Sequence, residues 1–156
     1  MTAPPLIRRF AAPDGPGCWA VFLAAVRIGA RDHYTEAELA DWVPDDTCPQ
    51  DYADWLAGTI TFVAEQGRVI VGFVMMRDDD YLDLLFVLPD DRRTGLAGRL
   101  YQALLPVAQA LGNSRMTVRA SRLAEPFFAR QGWRPSRGTD GAEVTDQMSR
   151  HREVDL

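Results

Sequence analysis

One stretch limits the possible folds of this chain more than any other. Over residues 81–111 a strand, a glycine-bearing turn and an amphipathic helix follow one another without interruption. Tyr81-Leu82-Asp83-Leu84-Leu85-Phe86-Val87-Leu88 is apolar and aromatic enough for a strand, and Pro89 with the charges after it ends that strand. From Gly95 onward, Leu96, Leu100, Leu104, Val107 and Leu111 form one apolar stripe at helical spacing. Pro106 falls inside this helix and predicts a kink, because it removes one backbone bond and crowds the carbonyl of Gln102. Gly112-Asn113 tolerate positive φ and end the helix. A helix that starts in this way offers unpaired N–H groups at the positive end of its dipole. Such groups suit a pyrophosphate if the backbone can be approached, and Gly95, Ala97 and Gly98 are small enough for that. Arg92, Arg93 and Arg99 add positive charge nearby. Two other phosphate motifs are excluded: there is no GxxxxGK(S/T), and no GxGxxG follows the first strand.

The flanking sequence supplies the rest of a mixed sheet. Leu6-Ile7-Arg8-Arg9-Phe10 reads as a short first strand, and Trp19, Phe22, Leu23, Val26 and Ile28 recur near helical spacing over 17–30. Thr35-Glu36-Ala37-Glu38 is a capping box opening a helix that carries Leu39 and Trp42, and residues 51–56 suggest another helical turn or two. Residues 59–65 and 68–76 form a hairpin around Gln66-Gly67. A strand over 114–120 follows the long helix, and Ser121 is placed to cap a helix running to about 131, where Gly132 stops it. A final strand is expected over 142–150. The fold class is α/β (α+β), in one domain spanning 1–156.

Composition narrows the partners. With 47% hydrophobic and 25% charged residues, this is an ordinary globular composition. The net charge of -5 and the lack of a Lys/Arg block argue against nucleic acid and anionic membrane surfaces. No stretch approaches the ~18 apolar residues of a membrane span, and the start has no signal-peptide pattern, so a cytoplasmic location is expected. Cys18 and Cys48 lack CxxC spacing and only two histidines are present, so buried reduced thiols are expected and no metal site.

The loop Arg92-Arg93-Thr94-Gly95-Leu96-Ala97 resembles the hallmark (Arg/Gln)-x-x-Gly-x-(Gly/Ala) of the GNAT superfamily of acyl-CoA N-acyltransferases, with Arg92, Gly95 and Ala97 at the defining places. Leu85-Phe86-Val87-x-Pro89 is similar to the way that family's fourth strand enters its loop. Downstream, Ala124-Glu125-Pro126-Phe127-Phe128-Ala129-Arg130-Gln131-Gly132-Trp133 resembles its A-x-x-F-Y-x-x-x-G-F segment. The resemblance implies a mostly antiparallel sheet of six to seven strands, splayed between the fourth and fifth and flanked by about four helices. It implies acetyl-CoA in the gap, with pantetheine amides on the strand near Phe86 and Val87 and phosphates on Arg92, Arg93, Thr94, Gly95, Leu96, Ala97, Gly98 and Arg99. An amine would attack the thioester directly. A small-molecule or peptide amine acceptor fits, in a monomer or homodimer. A longer acyl group and a non-catalytic acyl-CoA-binding module remain open alternatives.

The attacking amine must lose a proton. Alternation puts Tyr81, Asp83, Leu85 and Val87 on one strand face, and similar enzymes carry an acid on this strand four or six residues before the place of Val87. Asp83 fills the first place and Tyr81 the second. The family's thiolate-protonating Tyr falls at Phe128, which has no proton to give, leaving water, Ser121, Tyr81 or the amine's own departing proton as alternatives. Arg31-Asp32-His33-Tyr34 lies in the region that shapes the acceptor pocket in similar proteins, which makes His33 and Tyr34 candidate acceptor contacts.

Overall fold

A computed structural model describes residues 2–144 and 149–156. The strands are β1 (Leu6–Arg9), β2 (Ile60–Gln66), β3 (Val69–Met76), β4 (Tyr81–Val87), β5 (Arg115–Ser121), β6 (Arg134–Pro135) and β7 (Ser149–Asp155). They form one sheet in the order β1-β2-β3-β4-β5-β7-β6. Every neighbouring pair is antiparallel except β4 and β5, which run parallel. The helices are α1 (Gly15–Ala24), α2 (Glu36–Trp42), α3 (Tyr52–Ala57), α4 (Leu96–Ala110) and α5 (Glu125–Arg130). Among the described residues these five helices and seven strands in a mixed sheet agree with the expected fold of about four helices and six to seven strands.

Local sequence explains the better-anticipated elements. Thr35 Oγ1 accepts from the Glu38 N–H at 3.2 Å, and Glu38 Oε1 accepts from the Thr35 N–H at 3.1 Å, so the capping box opens α2. The β2–β3 turn lies one residue later than expected, at Gly67 and Arg68 with φ of 57° and 68°. Gln66 pairs with Val69, so this is a two-residue hairpin, whose favoured turn needs positive φ at both positions.

Three helical expectations are corrected. Helix α1 is followed over Ala25–Gly29 by a wider π-helical turn, which buries Ala25 and Val26 and leaves Ile28 52% exposed, off the expected stripe. In α4 the buried residues are Leu96, Leu100, Tyr101, Leu104 and Ala108, while Leu111 at the C-terminus is exposed. The helix continues through Pro106, which is exposed, as is Gln102. Ser121 does not cap α5 itself: its Oγ accepts from the Ala124 N–H at 3.1 Å and closes the turn that precedes α5.

The final strand runs over Ser149–Asp155 rather than 142–150, and residues 145–148 of the expected strand lie outside the described residues. Its periodicity is hidden because charge pairs replace apolar alternation. Arg115 and Arg134 meet Glu153, and buried Arg152 is held by Glu125 at 3.0 Å and Glu143 at 2.7 Å.

Apolar clusters cover both sheet faces. Val74, Met76, Leu82, Leu100, Leu104 and Phe128 belong to one, with α4 and α5. Cys18, Val21, Leu56, Phe73 and Met75 belong to the other, with α1 and α3. A third, smaller cluster of Val26, Ala30, Tyr34, Leu39 and Val43 seats α2. The sheet is continuous except between β4 and β5, where only Tyr81 with Thr117 and Leu82 with Val118 are paired. Beyond Leu82 the two strands part.

Candidate active site

The split between β4 and β5 opens onto a cavity of about 490 Å³. Its lining includes Tyr81 to Phe86 from β4, Val118 to Ser121 from β5, and Phe22, Tyr34, Glu38, Asp41 and Trp42 from the α1–α2 side. Phe128 of α5 reaches it as well, only 2% exposed. Most of the wall is therefore aromatic or aliphatic. Phe22 meets Phe86 edge-on at 5.1 Å, and Trp42 meets Tyr34 at 5.5 Å.

Asp83 occupies a local irregularity of β4. Met75 pairs with Leu84 and Met76 with Leu82, so Asp83 is an extra residue with no partner on β3. Such a bulge re-aims side chains and breaks strict alternation. The expected single face of Tyr81, Asp83, Leu85 and Val87 is corrected accordingly: Leu82, not only Leu85 and Val87, packs in the α4-side cluster. Burial pushes the Asp83 carboxyl above its ordinary value, with a further rise from Asp79, against the lowering effects of Arg77 and Arg119. Tyr81 lines the same cavity, with the Arg77 guanidinium 4.5 Å above its ring.

The start of α4 lies beyond the other end of β4. Gly95 is the N-cap at φ 84°, with no side-chain cap. The first intrahelical bond runs from the Arg99 N–H to the Gly95 carbonyl at 3.1 Å, which leaves the N–H groups of Leu96, Ala97 and Gly98 without a helical partner. A Cβ at Gly95 or Gly98 would meet nothing within 4 Å, so the backbone is open to close approach. Arg93 adopts φ 63° and is exposed. The other two arginines of the loop have structural duties: Arg92 donates to the Gly29 carbonyl at 2.8 Å, and Arg99 to the Pro5 carbonyl at 2.8 Å. Thr94 Oγ1 donates to the Asp91 carbonyl at 2.5 Å, shaping the turn. The donor set therefore fits a pyrophosphate through backbone N–H groups more than through guanidinium pairs.

The structure brings Asp83, Tyr81, Phe86 and Tyr34 to the cavity, with Val87 one residue beyond the lining. His33 is exposed and outside that lining, and its carbonyl accepts from Arg122 at 3.0 Å. Sequence reasoning missed Glu38, Asp41, Arg119 and Ser149 as lining residues. One signal was available: Glu38, Asp41 and Trp42 share one face of α2 by their helical spacing, just after the Tyr34 that the sequence had already singled out. Among the described residues no group of three or more His, Cys, Asp or Glu could hold a metal ion, and no helix is long and apolar enough to cross a membrane.

Residues 30–146 match the acetyltransferase (GNAT) domain. The uncharacterized N-acetyltransferase YafP of Escherichia coli (strain K12) is 33% identical over 127 residues, covering 81% of this chain and 79% of that protein. A GCN5-related N-acetyltransferase from Rhodopseudomonas palustris superposes with a TM-score of 0.83 at 26% identity, covering 100% of this chain and 98% of the other. The PaiA N-acetyltransferase of Thermoplasma acidophilum, solved in complex with coenzyme A, shares the fold with a TM-score of 0.78 at 13% identity, over 99% and 100% of the two chains. On the domain match and the E. coli relative together, this chain belongs to the GNAT family of acetyltransferases.

Proposed function

We propose that the protein transfers the acetyl group of acetyl-CoA to a primary amine by direct attack of the amine on the thioester. The observation that carries this reading is the split sheet, with an uncapped glycine helix start beyond one end and a desolvated carboxylate in its wall. Family membership and the coenzyme A of the T. acidophilum structure support it. The residues from Arg93 to Gly98 would hold the pyrophosphate through their N–H groups. The edge of β4 that faces the split would hold extended amide groups near Phe86 and Val87, as a strand edge holds a peptide.

Asp83, directly or through one water, takes a proton from the acceptor's ammonium, and its raised pKa brings it toward the range useful for a base. The C–N bond forms to give a tetrahedral intermediate, and the C–S bond breaks as that intermediate collapses. The nitrogen's second proton then passes to sulfur through water, Ser121 or Tyr81, because Phe128 has none to give. The aromatic walls of Phe22, Trp42 and Phe86 fit the apolar part of a small-molecule or peptide amine and keep water from the reacting atoms.

The test is thiol release from acetyl-CoA across a panel of amines. Turnover with at least one amine supports the reading. The apolar Phe128 in the cavity wall favours one alternative, a non-catalytic acyl-CoA-binding module, which predicts tight binding without turnover.

A further inference from the structure

We propose that Arg122 is a positioning residue for the acceptor, strapping the α1–α2 wall across the open end of the split; this rests on the acetyltransferase reading above. Strands β4 and β5 are parallel and paired only at Tyr81 and Leu82, so they part toward Val87 and Ser121. Arg122 directly follows the last residue of β5 and therefore stands at the open end.

From there it reaches across. Its backbone N–H donates to the Tyr34 hydroxyl at 2.7 Å, and its guanidinium lies 4.5 Å above the Tyr34 ring. Nη1 donates to the His33 carbonyl at 3.0 Å and to Glu38 Oε1 at 3.3 Å, while Nη2 meets Glu38 Oε2 at 2.9 Å. The next residue, Leu123, packs against the cluster of Val26, Ala30, Tyr34 and Leu39. Tyr34 and Glu38 line the cavity on one side, Ser121 and Ala124 on the other.

Arg122, with Leu123 beside it, thus joins two walls that the sheet no longer joins. A lone exposed ion pair holds little. Here the planar fork faces a carboxylate and a carbonyl while stacking on a ring, a geometry that an ammonium cannot reproduce. The strap fixes the distance between Tyr34 and the β5–α5 turn, and with it the width open to an acceptor. It spans the acceptor side only, since the start of α4 is tied elsewhere, to Gly29 and Pro5.

Three variants test this. Arg122→Ala removes the fork, and Arg122→Lys keeps the charge without it. Glu38→Gln removes the ion pair but can keep the capping box of α2, because Gln serves at that position. Arg122→Ala is expected to raise the acceptor KM by about tenfold or more, the scale of a small misplacement, with coenzyme A affinity by calorimetry unchanged. It should also raise kcat/KM for bulky amines relative to slim ones. Arg122→Lys recovers only part of the loss, and Glu38→Gln shifts KM in the same direction with an unchanged melting temperature. Hydrogen exchange over 35–43 should quicken in Arg122→Ala while β4 and α4 keep their protection. An unchanged acceptor KM, or parallel losses of acceptor and coenzyme A binding, would overturn the proposal. If the parent turned over no amine, the acetyltransferase reading would fail. Exchange would then decide the strap: a local increase supports it, and unchanged or uniformly raised exchange overturns it.

Discussion

Asp83 is a carboxylate in a run of leucines, at the point where β4 carries one residue more than β3 can pair. Its raised pKa is a statement about stability as well as chemistry. The folded state holds the proton more tightly than the unfolded chain. Asp83 therefore costs nothing at pH below the ordinary carboxylate value and destabilises as pH rises through the raised one. Asp83→Asn should accordingly melt higher than the parent at neutral pH, while kcat/KM falls by about 10²–10⁴, the usual share of a general base, and the acidic limb of its pH–rate profile flattens. Coenzyme A binding should survive. A variant with parental kcat/KM and an unchanged limb would remove Asp83 as the base. The residue itself was legible, because an acid among Leu82, Leu84 and Leu85 is conspicuous. The bulge was not, since register belongs to a pair of strands and not to one. Arg122 was equally hidden: its partners His33, Tyr34 and Glu38 lie 84 to 89 residues away in sequence.

Among the elements, the start of α4 separates the demands of fold and ligand most cleanly. Gly95 needs its positive φ, so any substitution there strains the turn whatever it does to a ligand. Gly98 has no such need, and an added Cβ would touch nothing within 4 Å. Gly98→Ala should therefore hold or raise the melting temperature, by about 0.5–1 kcal/mol of helix propensity. The same methyl would stand in the way of a pyrophosphate bound as proposed, so coenzyme A affinity should fall. Unchanged affinity by calorimetry would move the cofactor away from this helix start. Elements with a local signature were legible for local reasons: the capping box of α2, the hairpin, and the glycine exit from α4 at Gly112, with φ 80°. Strand β7 was not, because its alternation is written in charge pairs with β5, β6 and α5.

At the scale of the whole molecule, the split sheet is both the candidate site and a seam with few strand pairs. Two strand pairs, the Arg122 contacts and the apolar cluster that runs from Met76 and Leu82 to Met116, Val118 and Phe128 join its sides, and a second cluster packs the other sheet face. A ligand that bridges β4, the start of α4 and the split should stabilise the entire chain, provided the chain melts as one unit. The expectation is a single cooperative thermal transition that coenzyme A moves upward. At about 100 times Kd, binding contributes about 2.7 kcal/mol, which for a domain of this size corresponds to a rise of about 5–10 °C. Gly95→Asp should lose that rise, since it puts negative charge at the proposed phosphate site, and should melt at one temperature with or without ligand. Asp83→Asn should keep the rise in full if the carboxylate serves the acceptor and not the phosphates, as proposed. Differential scanning calorimetry with and without ligand reads all three proteins. Two transitions in the parent, only one of them moved by ligand, would mean that the sides of the split unfold separately and that a single domain is the wrong description. A single transition that coenzyme A leaves in place would instead remove the split as its binding site.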